Sequence, residues 1–211
     1  MVKSRVRQDA VDQEIEQSQK HKPWHRYLEA SLGLRNHWYP AIFSHELKEG
    51  QTKGETVAGE RLYFKRIDGN VYCVADRCAH RGVQFSKRPE IYSKNTITCW
   101  FHGFCYDVRD GKLVSVLSEP NSSVVGKIAV KTYHVFEKHS MVFVFIGDMD
   151  PPPSIEEDMP PSFWTPNLYI RPLIRYKIKC NWRMAAENGF DQGHLYFHRN
   201  WAFPKRYGIQ Q

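Results

Sequence analysis

Two short stretches of the chain combine thiol and imidazole donors. Cys78-Ala79-His80-Arg81-Gly82 sets cysteine and histidine two residues apart, Cys99-Trp100-Phe101-His102-Gly103 sets them three apart, and 18 residues separate His80 from Cys99. Two thiolates can hold one iron of a [2Fe–2S] cluster while two neutral imidazoles hold the other. Less negative charge then sits at the site, and its reduction potential rises above that of an all-cysteine cluster. The glycine closing each stretch allows a tight turn that aims backbone N–H groups at the bridging sulfides. A Cys2His2 zinc site is the alternative, but its cysteines usually come from one knuckle and its histidines from another. Here each stretch is mixed, which favours iron–sulfur.

A second group lies near the end of the chain. On a continuous helix from Trp182 to about His198, Glu187, Asp191, His194 and His198 step by four, three and four and share one face. Ionisable residues flanked by Met184, Phe190, Leu195 and Phe197 are costly to bury unless they bind a metal or one another. His194 and His198 form an i,i+4 chelate, and with one carboxylate they would complete the facial triad of a non-haem iron centre, leaving positions for oxygen and substrate. No Asp or Glu follows His198, so the carboxylate is Asp191, Glu187 or a residue outside these 211.

Short β-type runs position the first group: Trp38–Phe43, Arg61–Ile67, Val71–Ala75, Thr96–Trp100, Phe104–Val108 and His134–Ile146, punctuated by Asp68-Gly69-Asn70 and Asp110-Gly111. Such spacing predicts an antiparallel sandwich or small barrel. Residues 1–36 read as a helical lead-in. The proline-rich stretch from Asp150 to Pro166 reads as a linker, and a strand-like run, Tyr169–Lys179, precedes the helix.

Composition narrows the field. With 41% hydrophobic and 25% charged residues among 211, the chain is neither disordered nor fibrous. Its longest apolar stretch, Met141–Ile146, is too short to span a bilayer, and Met1–Lys22 has no signal-peptide core, so a cytoplasmic protein is expected. Five cysteines without an export signal point to ligands or buried thiols rather than disulfides; Cys73, Cys105 and Cys180 read as small buried residues and not as ligands. The net charge of +7 suits an acidic partner, nucleic acid or neither.

Cys78-x-His80 and Cys99-x-x-His102 among short strands, followed by Asn188-Gly189-Phe190-Asp191-x-x-His194-x-x-x-His198, resemble the motifs of the Rieske non-haem iron ring-hydroxylating oxygenases. Flanking strings such as Leu34–Pro40, Gly147–Pro153 and Asn181–Asp191 resemble the branch of that family acting on carbazole. The resemblance implies an α+β chain: a β-sandwich Rieske domain over 37–150, then over 151–211 a linker and the opening of a helix-grip catalytic domain. It implies Cys78, His80, Cys99 and His102 as cluster ligands, His194 and His198 as ligands of a mononuclear Fe(II), and Asn188 and Asp191 as catalytic residues. Asp191 would join His194 by hydrogen bonds to His102 of the neighbouring subunit, the carboxylate ligand arriving from a later helix. The implied activity is that of a homotrimeric terminal oxygenase. It would take electrons from NADH through a reductase and a ferredoxin and add both atoms of dioxygen at an angular position of a carbazole-like ring. An oxygenase of another aromatic substrate and a Rieske electron carrier are the alternatives. A carrier has no use for a second iron. Neither nucleic acid nor membrane is expected as a partner.

Overall fold

The computed structural model describes residues 25–170, 178–191 and 193–194. The chain divides into two compact units, Met1–Pro172 and Leu173–Gln211.

In the first unit a short helix, α1 (His25–Glu29), precedes ten strands: β1 (His37–Phe43), β2 (Thr52–Val57), β3 (Glu60–Ile67), β4 (Asn70–Ala75), β5 (Thr96–Thr98), β6 (Phe104–Asp107), β7 (Leu113–Val116), β8 (Thr132–Tyr133), β9 (Val135–Lys138) and β10 (Met141–Ile146). They form three antiparallel sheets, ordered β1-β10-β9, β2-β3-β4-β8 and β5-β6-β7. The antiparallel architecture expected from the sequence is present. His134–Ile146, however, is two strands, because His139 and Ser140 take positive φ (51° and 64°) and turn the chain between β9 and β10.

The middle sheet is covered on both faces, and strand alternation shows how. Leu62 and Phe64 of β3 pack with Ile42, Val142, Val144 and Ile146 of the first sheet. Tyr63 and Ile67 face the other way and pack with Ile97, Tyr106, Val108, Leu113 and Val116 of the third. Lys65 shares that second face and is only 1% exposed. Its ammonium donates to the Thr96 and Ser93 carbonyls at 2.6 and 3.3 Å, and burial lowers its pKa. A charged group in the core is thereby given acceptors, and the turn entering β5 is tied to β3.

The proline-rich stretch is not a free linker. Ile155 and Phe163 are buried with Phe143, flanked by Trp38, Phe136 and Trp164. The Trp38 indole donates to the Pro153 carbonyl at 2.9 Å, and the Trp38 backbone N–H donates to Asp158 at 2.7 Å. Proline prevents this segment from forming helix or ladder, but its interspersed Ile, Phe and Trp side chains still find apolar cover on the β1-β10-β9 sheet.

In the second unit the described helix, α2, spans Trp182–Phe190 and is capped by Asn181, whose side chain accepts the Arg183 N–H at 2.9 Å. Most of the strand-like run Tyr169–Lys179 lies outside the described residues. Its described ends, 169–170 and 178–179, are not in a strand, and Cys180, expected to be buried at the end of that run, is exposed, whereas Cys73 and Cys105 are buried as expected. No described helix is long and apolar enough to cross a membrane.

Candidate metal centre

The first ligand stretch follows β4 and the second is the β5–β6 hairpin turn. They share one backbone closure. The Gly82 N–H donates to the Cys78 carbonyl at 2.8 Å and the Cys78 N–H to the Val83 carbonyl at 2.8 Å; the corresponding bonds from Gly103 to Cys99 and from Cys99 to Phe104 are 2.9 and 2.8 Å. Both glycines have positive φ, +71° and +68°. The two loops are thus equal in length despite the unequal Cys–His spacing, and only the histidine slot differs by one residue.

This geometry sorts the four donors by depth. Cys78 and Cys99 are buried, at 2% and 3% exposure, within the core shared by the second and third sheets. His80 is exposed and His102 half-buried, with ring centroids 4.9 Å apart. Phe104 stacks on His80 at 4.6 Å, and Phe101 lies against His102 at 4.0 Å. Burial, and then the adjacent Cys78 thiol, hold the Cys99 thiol above its usual pKa, while the Phe101 and His102 backbone N–H groups act oppositely by favouring an anionic sulfur. Tyr106, fully buried on β6, shares a hydrogen bond of 3.2 Å with the Cys78 sulfur, and burial pushes its phenol strongly upward. Asp76 braces the first loop by accepting the Ser86 N–H and hydroxyl at 2.9 and 2.5 Å.

The fit to a [2Fe–2S] group rests on these observations. The His102 Nδ1 atom is buried with no hydrogen-bond partner, an arrangement that is costly unless the nitrogen serves as a ligand. A two-iron group takes only two protein ligands per iron. Donor set, depth and the orphaned nitrogen all suit the cluster.

The second group is arranged differently from the expectation. Glu187, Asn188 and Asp191 are exposed, and α2 ends at Phe190. Asp191 is extended, with φ −77° and ψ 93°, and its side chain accepts the His194 N–H at 3.2 Å. Asp191 therefore caps a new turn, and Glu187, Asp191 and His194 do not form one helical stripe. Asn188 and Gly189 weaken the last turn of α2, and aspartate favours a cap over a helix interior. His198 lies outside the described residues. The sequence reading missed Tyr106 and Asp76, which only the hairpin register and the folding of the loop bring to the ligands; Asp76, two residues before Cys78, was visible only as a polar residue at the end of an apolar strand.

Residues 37–134 match the model of the Rieske [2Fe-2S] domain, and residues 145–209 match that of the homotrimeric ring hydroxylase. The terminal oxygenase component of carbazole 1,9a-dioxygenase from Metapseudomonas resinovorans is 47% identical over 85% of this chain and 46% of its own. The corresponding protein from a Sphingomonas species is 46% identical over 85% and 47%. The solved terminal oxygenase of carbazole 1,9a-dioxygenase from Nocardioides aromaticivorans IC177 superposes with a TM-score of 0.80 at 48% identity, over 85% of this chain and 48% of that one. A reduced complex between oxygenase and ferredoxin of carbazole 1,9a-dioxygenase is similar too, with a TM-score of 0.80 at 45% identity over 87% of this chain and 47% of that one. The chain spans about half the length of the curated relatives it matches.

Proposed function

Since the chain belongs to the Rieske ring-hydroxylating oxygenases, we propose that it is the electron-receiving part of a cytoplasmic terminal oxygenase that dihydroxylates carbazole-like aromatics at an angular position. In this reading Cys78, His80, Cys99 and His102 hold the [2Fe–2S] cluster, and His194 and His198 hold a mononuclear Fe(II). When bound, the cluster supplies single electrons, and the Fe(II) supplies the site for dioxygen. Electrons come from NADH through a reductase and a ferredoxin, and the working assembly is a homotrimer. The observation that carries the reading is the sorting of donors by depth, with thiols in the core, imidazoles outward and the His102 Nδ1 unpartnered.

The chain's own residues then divide the work. Tyr106 and the Phe101 and His102 N–H groups stabilise anionic sulfur. Phe104 and Phe101 fix the imidazole planes. Asp191 is exposed and accepts the His194 backbone N–H; its carboxylate has capacity for further N–H donors, and in this reading it joins the His194 imidazole to His102 of a neighbouring subunit. Asn188 remains a proposed catalytic residue by its place in the motif.

The test is turnover of the full-length protein with NADH, reductase, ferredoxin and carbazole or dibenzofuran. Angular dihydroxylation is the expected outcome. Product from monocyclic acids alone would assign it another substrate, and a protein that accepts electrons but consumes no oxygen would be a carrier.

A further inference from the structure

Asp76 is a carboxylate that the fold has taken out of water. It is only 3% exposed, and it stands two residues before Cys78, so its Cα lies no more than about 7 Å from that of a thiol donor. Its backbone N–H donates to the Arg61 carbonyl at 2.8 Å, which extends the β3–β4 ladder by one bond and fixes where the side chain starts. Neutral donors satisfy the carboxylate. One oxygen accepts the Ser86 N–H at 2.9 Å, and the other accepts the Ser86 hydroxyl at 2.5 Å and the Gln84 side-chain amide at 3.3 Å. Glu60, Asp107, Glu137 and Asp148 each lie against an arginine. Asp76 has no cation within ion-pair distance among the described residues.

The neighbouring elements are shaped to hold this charge. A Cβ on Gly54 of β2 would stand 2.5 Å from the Ser86 Cβ and 3.9 Å from the Asp76 carboxylate, so the glycine lets the short turn at Phe85–Lys87 close over it. Gln84 faces both ways. Its side chain donates to Asp76, and its carbonyl accepts the Trp100 indole N–H of the second ligand loop at 3.3 Å. A carboxylate held by neutral dipoles keeps its negative charge, and burial leaves little solvent to screen it. Negative charge near an iron–sulfur centre opposes the electron added on reduction. Rieske centres with the same four ligands span a wide range of potentials, so groups outside the ligand set fix the value.

We propose that Asp76 is such a group: its buried charge holds the potential of the [2Fe–2S] centre below the value its ligands alone would give, and Ser86 and Gln84 keep that charge at a fixed distance. The inference rests on the reading that Cys78, His80, Cys99 and His102 hold the cluster. A centre poised lower is a stronger donor to the next acceptor and has less driving force for its own reduction. A carboxylate that merely braced the loop would leave the potential where it is.

The experiment uses the full-length, cluster-loaded protein, with potentials read by voltammetry and by redox titration followed by electron paramagnetic resonance, at about 20 and about 500 mM salt. Asp76→Asn removes the charge and leaves an oxygen for the Ser86 N–H. It is expected to raise the one-electron reduction equilibrium constant about tenfold, a positive shift of about 59 mV, and equally at both salt concentrations. Glu119→Gln makes the same change of charge on an exposed residue beside Ser118, whose hydroxyl donates to the His102 carbonyl; in water the effect should be less than about twofold. Ser86→Ala deletes a donor but keeps the charge, and should shift the potential well short of Asp76→Asn. A shift in Asp76→Asn no larger than in Glu119→Gln, a shift to lower potential, or an equal shift in Ser86→Ala would overturn the proposal. If Asp76→Asn takes up no cluster, Asp76→Ser is read in its place with the same expectation, and failure of both to hold a cluster reduces Asp76 to a brace and overturns it as well. Wild-type protein that binds no [2Fe–2S] cluster, or binds it without His80 and His102, would instead remove the functional reading on which the proposal rests.

Discussion

Replacing glycine by alanine at three positions separates backbone strain from steric conflict at the ligand loops. Gly50, Gly82 and Gly103 all have φ near +70°, so an added Cβ costs about 1–2 kcal/mol at each. They differ in what the Cβ meets. At Gly50 nothing lies within 4 Å, so the strain stands alone. At Gly82 the nearest atom is the Arg77 Nε at 3.0 Å, the far end of a flexible side chain that can swing aside. At Gly103 the Leu117 Cβ lies at 2.7 Å and the Leu117 backbone N at 3.3 Å, and that backbone N–H is bonded to the Gly103 carbonyl at 2.9 Å. Relief there requires moving the chain after β7, which adds about 1–3 kcal/mol. Gly103→Ala should therefore cost about 2–5 kcal/mol and the other two about 1–2 each. With a urea m-value of about 2 kcal/mol/M, the midpoint falls by about 1–2.5 M for Gly103→Ala and by about 0.5–1 M for the others. Urea unfolding followed by tryptophan fluorescence, at matched cluster occupancy, reads the series. A Gly103→Ala midpoint no lower than that of Gly50→Ala would refute the claim that Leu117 clamps the second loop.

Substituting His80 or His102 by Cys exchanges neutral imidazole for anionic thiolate, and the potential of the reconstituted cluster should drop by some hundreds of millivolts, on the order of the gap between Rieske and plant-type clusters; voltammetry checks it, and an unshifted potential would remove that histidine from the ligand set. Tyr106→Phe deletes the hydroxyl bonded to Cys78 with little change in volume, and should lower the potential by tens of millivolts, about 30 mV or more, since the anionic sulfur loses a hydrogen bond. Arg66 holds the Glu137 carboxyl below its usual 4.5; a depressed carboxylate pKa stabilises the fold above 4.5 and ceases to do so as pH falls through the depressed value. Glu137→Gln, which leaves the Arg66 bonds to the Leu47 and Gly69 carbonyls in place, should accordingly destabilise at pH 7 and progressively less as pH falls through the depressed value, and a loss independent of pH would contradict the ion pair. Asp191→Asn retains a side-chain oxygen for the His194 N–H and should leave folding and cluster reduction intact, while single-turnover oxidation of the pre-reduced full-length enzyme with substrate and oxygen slows at least about tenfold; a wild-type rate would reduce Asp191 to a helix cap.

Much of the site was readable because its chemistry is local. Each ligand loop packs thiol, imidazole and glycine into five residues, and strands with consecutive apolar residues such as Arg61–Ile67 and Val71–Ala75 declare themselves. What escaped was set by distant partners. β2, Thr-Lys-Gly-Glu-Thr-Val, has almost no apolar signal, because it lies at the edge of its sheet and pairs only with β3. The β9–β10 turn uses His139-Ser140 without a glycine, and so ran together as one strand. The proline-rich segment was read from its breakers, although Ile155 and Phe163 decide where it goes. The heptad-like spacing of Glu187, Asp191 and His194 suggested one helix, but Asp191 is a better cap than a mid-helix residue and takes the His194 N–H. Lys131 lines a cavity beside His80 from a segment some fifty residues along the chain, a distance over which no local spacing rule speaks.

The two ligand loops belong to different sheets. One continues from β4 in the β2-β3-β4-β8 sheet, and the other joins β5 to β6 in the third. Any group ligated by both is therefore a cross-brace between layers, closing a chain loop of some twenty residues between Cys78 and Cys99. By analogy with a disulfide of similar span, such a closure contributes about 3 kcal/mol by restricting the unfolded chain. The third sheet has only short strands, and its other ties to the second layer include apolar packing, the Lys65 ammonium, the Tyr106–Cys78 hydrogen bond and the Lys94–Asp68 ion pair. Assembly of the centre and docking of that sheet are then one thermodynamic event. In a cell starved of iron, the β5-β6-β7 hairpins would lose this brace and open more readily to proteases.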